Sequence, residues 1–189
     1  MLALLSGRRP TPGTGDETTG GMHQDGGMNQ ADPRVRRIEV DDVPAVVGLV
    51  HALAEYERAA DACHLRASQL QAALFGDRGA LFGHVALIDG DVVGCALWFL
   101  NFSTWRGVHG IYLEDLFVQP AHRGKGLGRA LLVQLARECV DRGYARLEWA
   151  VLDWNEPSIR FYRSLGAAAQ DEWSIFRLDG GSLAALAQV

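Results

Sequence analysis

Between residues 35 and 180 the spacing of apolar positions changes several times, and each change marks an element. VRRIEV (35–40) alternates weakly and reads as a strand. Asp41 or Asp42, followed by Pro44, signals a helix start; Val46, Val47, Leu49, Val50, Leu53 and Ala54 then recur at helical spacing to about Tyr56 or beyond. ASQLQAALF (67–75), closed by Gly76, predicts a second, short helix. HVALID and DVVGCALWFL flank Gly90 and predict an antiparallel hairpin turning at Asp89-Gly90. A loop holding Ser103, Trp105 and Gly107 leads into GIYLEDLFV (110–118), a strand that ends at Pro120. Leu127, Leu131, Leu135 and Cys139, each four residues apart, predict a long helix from about Gly126 to Arg142. ARLEWAVL (145–152) reads as a strand. PSIRFYRSLG (157–166) reads as a helix with Pro157 in its first turn and Gly166 past its end, and WSIFRLD (173–179) as a last strand. The order β-α-α-β-β-β-α-β-α-β predicts a mixed α/β domain built around one sheet.

Residues 1–33 lack any such patterning. They are rich in Gly, Thr, Asp and Gln, with almost no aliphatic residue after Leu5, and are expected to form a disordered tail ahead of one domain over 34–189. Met22 and Met28 offer later starts of translation. The opening Met1-Leu2-Ala3-Leu4-Leu5 is too short for a secretory core, and its arginines follow the apolar residues instead of preceding them. No apolar run approaches the roughly 20 residues that span a bilayer. A net charge of −5 argues against a nucleic-acid partner. Cys63, Cys95 and Cys139 are odd in number and scattered, with no disulfide or metal-ligand pattern. They read as small buried apolar residues of a cytoplasmic protein, and no bound metal is expected.

The chemistry concentrates in HRGKGLGRALL (122–132), where a strand turns into the long helix. After Gly124 and Gly126 a dinucleotide fingerprint would need a third glycine where Arg129 stands, and a P-loop pattern is also missing. What remains is Arg123-Gly124-Lys125-Gly126-Leu127-Gly128. Its glycines let backbone approach a ligand, the helix start supplies bare amides, and Arg123, Lys125 and Arg129 add charge. That combination suits a pyrophosphate; the plain alternative is a glycine-rich turn with solvated arginines.

Glu114 and Asp115 interrupt the apolar run of YLEDLFV. A buried, unpaired carboxylate is costly, so two of them in a core strand point to function; an edge strand with solvated acids is the plain alternative. On a regular strand adjacent side chains face opposite ways, so the two acids are expected to have separate tasks and not to share a proton.

YLEDLFVQPAHRGKGLG together with VLDWNEPSIRFYRSLGA resembles the GCN5-related N-acetyltransferases, within them the diamine (spermidine/spermine) and thialysine acetyltransferases. The resemblance extends over about residues 35 to 180. It implies a mostly antiparallel central sheet flanked by helices, with two parallel strands, 110–118 and 145–152, splaying apart to admit the pantetheine arm of acetyl-CoA. By the same resemblance, the backbone of Leu116, Phe117 and Val118 meets the acetyl and pantetheine groups. The segment Arg123, Gly124, Lys125, Gly126, Leu127, Gly128 and Arg129 holds the pyrophosphate, and Asn155, Glu156, Pro157 and Ser158 line the other side. Tyr162 is implied as the acid that protonates the departing thiolate; read by itself it is first of all a core tyrosine with a satisfied hydroxyl. Glu114 is implied as the base for the acceptor amine.

The acceptor region implied by the resemblance contains Tyr56, Glu57, Asp115, Glu148, Trp149 and the Asp171-Glu172 pair, with Trp105 and Trp173 as walls for an alkyl chain or cation. Ser103-Thr104-Trp105 and AVLDWN are similar to the thialysine branch, NEPSI to the diamine branch. The expected activity is direct acetyl transfer from acetyl-CoA to a primary amine of a small molecule, in a homodimer, with neither nucleic acid nor membrane as partner. A catalytically silent acyl-CoA sensor, or an acetyltransferase acting on a protein amine, are the alternatives.

Overall fold

The computed structural model describes residues 31–188. The tail expected over 1–33 falls almost wholly outside them; of its last three residues, Asp32 pairs with Arg34 at 2.6 Å. One sheet carries five strands in the order β1-β2-β3-β4-β5: β1 Val35–Arg37, β2 Phe82–Ile88, β3 Asp91–Ser103, β4 Val108–Val118 and β5 Leu147–Glu148. The first four are antiparallel neighbours and β5 runs parallel to β4. The β2–β3 hairpin turns at Asp89 and Gly90 with φ of 52° and 91°, the positive pair that a two-residue turn needs.

Helices α1 (Val43–Tyr56) and α2 (Ala67–Phe75) cover one face of the sheet, closing a core of Val46, Leu49, Leu70, Val85, Cys95, Leu97 and Phe117. Helix α3 (Leu127–Asp141) covers the other, over Ala96, Trp98, Ile111 and Leu113, with Phe161 and Tyr162 of α4 (Glu156–Ser164) packed at its edge. The four-residue apolar repeat of α3 becomes its buried stripe: Leu127, Leu131 and Leu135 are fully buried.

Two expected strands differ. The segment 145–152 is a strand only at Leu147 and Glu148, because Trp149 turns toward the α3 core and packs its ring 4.9 Å from that of Tyr162. The segment 173–179 joins no sheet among the described residues. β5 offers an edge of only two residues, and Trp173, Ile175 and Phe176 are 72%, 79% and 93% exposed. A helix that the periodicity did not indicate, α5 (Gly180–Leu186), follows. Among the described residues no helix is long and apolar enough to cross a membrane.

Candidate active site

A cavity of about 970 Å³ opens where β4 and the chain beyond β5 part company. The strands share only the pairs Ile111–Leu147 and Tyr112–Glu148; past them, Leu116, Phe117 and Val118 form one wall and Ala150, Val151 and Leu152 face them. Backbone N–H and C=O groups that run beyond the last ladder pair need another partner. The seam is therefore a polar slot between apolar side chains, suited to an extended chain carrying amides.

At one end lies the start of α3. Gly124 and Gly126 adopt φ of 76° and 81°, and Gly126 is the residue from which α3 starts, with no side chain capping it. The bend thus turns on left-handed backbone that other residues enter only with strain, and leaves the first-turn amides facing the cavity. Gly124, Gly126, Leu127, Gly128 and Arg129 all line it. Lys125 does not; its ammonium is 3.3 Å from His122 Nδ1, and its carbonyl accepts from Arg34 at 3.1 Å. Arg123 folds back over the site. Its Nε donates to the Val118 carbonyl at 3.1 Å, and its guanidinium rests 4.8 Å from the Tyr56 ring centre and 5.6 Å from that of Phe117.

The far wall is α4 with its cap. Asn155, 6% exposed, accepts from the Ser158 amide through Oδ1 and so caps the helix. Pro157 and Ser158 line the cavity, whereas Glu156 pairs outward with Arg160 at 3.5 Å. Two turns on, Tyr162 also lines it. Burial, with a smaller contribution from the Glu57 carboxylate, pushes its phenol up to about 12, so it keeps its proton throughout the neutral range.

A bulge in β4 decides where the acids point. Leu97 pairs with Asp115 and Trp98 with Leu113, leaving Glu114 as the extra residue. Before the bulge Ile111 and Leu113 face the α3 core; after it Leu116 and Val118 do. Glu114 and Asp115 consequently both turn to the α1 side and line the same cavity as Glu57, which follows α1. The opposite-face expectation fails here because it assumes an unbroken pleat. Glu114 is exposed and Asp115 is partly buried. Burial, then the charges of Glu114 and Glu57, push the Asp115 carboxyl up to about 6. Burial also raises that of Glu57.

The remaining acceptor-side expectations are scattered. Tyr56 lines the cavity, its hydroxyl bonded to Asn155. Glu148 is held by Arg146 at 2.6 Å and Asn101 at 2.7 Å, and Trp149 stands behind Tyr162. Trp105 sits in the β3–β4 turn, 85% exposed. Glu172 and Trp173 border a separate hollow of about 270 Å³. Leu53, Tyr112, Phe161, Ile175 and Arg177, none of them marked as a site residue by the sequence alone, also line the main cavity. Ile175 and Arg177 were legible as a pair two apart in WSIFRLD; Leu53 and Phe161 look like ordinary core residues.

The Acetyltransferase (GNAT) family profile matches residues 46–167. The chain belongs to the GNAT acetyltransferase family. Among its GNAT relatives, the thialysine N-epsilon-acetyltransferase of Bos taurus is 34% identical over 164 residues, spanning 81% of this chain and 96% of that one. An L-ornithine N5-acetyltransferase of Arabidopsis thaliana is 40% identical over 100 residues, which are 53% of this chain and 44% of that one. Among solved structures, an integron cassette protein of V. cholerae superposes with a TM-score of 0.70 at 26% identity, over 82% of this chain and 97% of that one. As a GNAT acetyltransferase the chain uses acetyl-CoA as its co-substrate.

Proposed function

We propose that the chain acetylates a primary amine of a small molecule, a diamine or an amino acid resembling thialysine, by direct attack of the amine on acetyl-CoA. The observation that carries this reading is the make-up of one cavity, lined both by the glycine backbone and Arg129 at the start of α3 and by the carboxylates of Glu57, Glu114 and Asp115 with the protonated phenol of Tyr162. An anionic coenzyme and a cationic acceptor both fit such a lining. The names of the relatives support the acceptor class, one acting on thialysine and one on ornithine.

In this reading the amides of residues 124–129 hold the pyrophosphate, with Arg123 swinging off Tyr56 to join them. The Leu116–Val118 edge and the Asn155–Ser158 cap embrace the pantetheine arm. A strand amide from 116–118 stabilises the oxygen of the tetrahedral intermediate, where developing negative charge gains most from a fixed donor. Tyr162 protonates the departing thiolate. The acceptor arrives as an ammonium of pKa about 10.4, and presenting it as the free amine at pH 7 costs roughly 4–5 kcal/mol. Glu114 meets that ammonium and takes up its proton, directly or through water. Residues 34–189 carry the activity, in the cytoplasm. The protein acts as a homodimer, its contact including the exposed apolar strip Trp173, Ile175 and Phe176.

A panel of amines with acetyl-CoA, followed by release of free thiol, tests the reading. Diamines or lysine-like amino acids should lead the panel; no turnover with any small amine, alongside intact coenzyme binding, would leave a sensor. Sedimentation at micromolar concentration should give twice the chain mass, and a monomer would remove the dimer.

A further inference from the structure

We propose that Asp115, and not Glu114 alone, holds the proton removed from the acceptor ammonium, with Glu114 and Glu57 gripping the cation above it. This rests on the acetyl-transfer reading and deepens it at one atom.

The bulge is the first ground. By doubling two residues of β4 against Leu97 it places both acids on one wall, with Glu57 across from them at the end of α1. Three carboxylates facing one space cannot all stay ionised at equal cost, and the least solvated is the one that takes a proton first. That one is Asp115. It pairs opposite Leu97, a buried residue of the α1-side core, whereas Glu114 is exposed to solvent.

The surroundings are the second ground. Toward this wall face the Cys95 thiol of β3, whose ionisation is suppressed by burial and, secondarily, by the Asp115 charge, and the Tyr112 phenol of β4. Tyr162 of α4 looks into the same cavity and Arg177 stands at its border, while Arg123 lies over Phe117 two residues along. Asp115 forms no ion pair with any of these cations, in contrast to Asp42 and Glu138, the partly or fully buried acids that do. An unpaired carboxylate in an apolar setting is matched to receiving a proton, and its rise from 3.8 to about 6 makes it about a hundredfold better as an acceptor while still ionised at pH 7.

The protons balance. The ammonium gives one proton to Asp115, through Glu114 or water, and its freed lone pair forms the C–N bond. The carbonyl π pair moves to oxygen and returns as the C–S bond breaks, and the thiolate takes the Tyr162 proton. The second N–H proton, lost as the amide forms, restores the phenol, and Asp115 releases its own to solvent. One amide, one thiol and one proton result.

The test follows two signals. Carboxyl carbons of labelled aspartate, titrated in the free protein, should show one aspartate with a midpoint near 6 that disappears in Asp115→Asn and moves to lower pH in Glu114→Gln and Glu57→Gln. The pH dependence of kcat/KM, measured with a diaminoalkane and with its analogue fluorinated beside one amine, should fall below pH 6. That limb should vanish in Asp115→Asn, with turnover of the ordinary amine lowered at least tenfold and that of the fluorinated amine much less. In Glu114→Gln the limb should persist, displaced to acid. No aspartate titrating above pH 5, or an acid limb that survives Asp115→Asn and disappears in Glu114→Gln, would overturn the assignment. If Asp115→Asn does not fold, the displacement of the Asp115 signal in the other two variants still decides it. Loss of acetyl transfer to every amine in the unmutated protein would instead count against the underlying reading.

Discussion

The Tyr56 hydroxyl donates to Asn155 Oδ1 across 3.3 Å, tying the end of α1 to the start of α4. The same oxygen accepts the Ser158 amide, so one buried side chain both caps a helix and joins two walls of the cavity. Asn155→Ala should cost about 1 kcal/mol from the lost cap, lowering the melting temperature by about 2–4 °C. Tyr56→Phe keeps the ring under Arg123 and should cost less than half as much. Calorimetry of the two variants distinguishes a cap from a mere tether.

Tyr162→Phe should leave coenzyme affinity nearly unchanged, because the ring still packs on Trp149 and Phe161. Turnover at pH 7 should fall by roughly 10²–10⁴, the span of a general acid. The defect should shrink at high pH, since a thiol with pKa near 8.5 leaves tolerably as its anion there. Near-normal turnover at pH 7, with chemistry limiting, would remove the phenol from its role.

Gly126→Val should weaken coenzyme binding through conformation and not through collision. A Cβ at Gly126 meets no atom within 4 Å, but the φ of 81° is one that a branched residue avoids. Straightening the bend costs about 1–2 kcal/mol and re-aims the amides. Titration calorimetry should show Gly126→Asn binding better than Gly126→Val, since Asn tolerates left-handed backbone.

A buried histidine and a partly buried aspartate pull acid stability in opposite directions. His84 is 1% exposed and accepts the Trp98 indole N–H through Nδ1 at 3.3 Å. Burial, helped by the Arg37 cation, lowers it from 6.5 to about 4. The unfolded chain therefore binds this proton first, and stability falls by about 3 kcal/mol as pH drops from 6.5 to 4. Asp115 is raised, so the folded form takes its proton first and stability rises by about 3 kcal/mol between pH 6 and 3.8. Urea unfolding at several pH values should show His84→Gln gaining stability on acidification and Asp115→Asn losing it.

Most of the fold was legible because its signals are local. Asp89-Gly90 specified a turn, the Leu127–Cys139 repeat a helix stripe, and Gly76 and Gly166 two helix ends. The glycine bend at 124–128 was equally local. What escaped depends on tertiary context. The bulge at Glu114 leaves no mark in YLEDLFV, since it is defined by what Leu97 and Trp98 pair with across the sheet. WSIFRLD alternates as a strand should, yet a strand needs an edge, and β5 ends after two residues. The acidic side of the cavity combines the end of α1, the bulge and the segment around Ile175 and Arg177, which are far apart in sequence; only the fold brings them together.

Measured by the exchange of amide hydrogens, the sheet is lopsided. β3 and β4 share ten register pairs, β4 and β5 only two. Opening of so short a ladder is a local event that leaves the rest of the domain intact. Deuterium should thus enter residues 147–152 long before it reaches the centre of β3. The stretch that packs beside Tyr162 hangs on the shortest ladder of the sheet, so protection gained there on adding coenzyme would report directly on what the ligand contributes to the sheet.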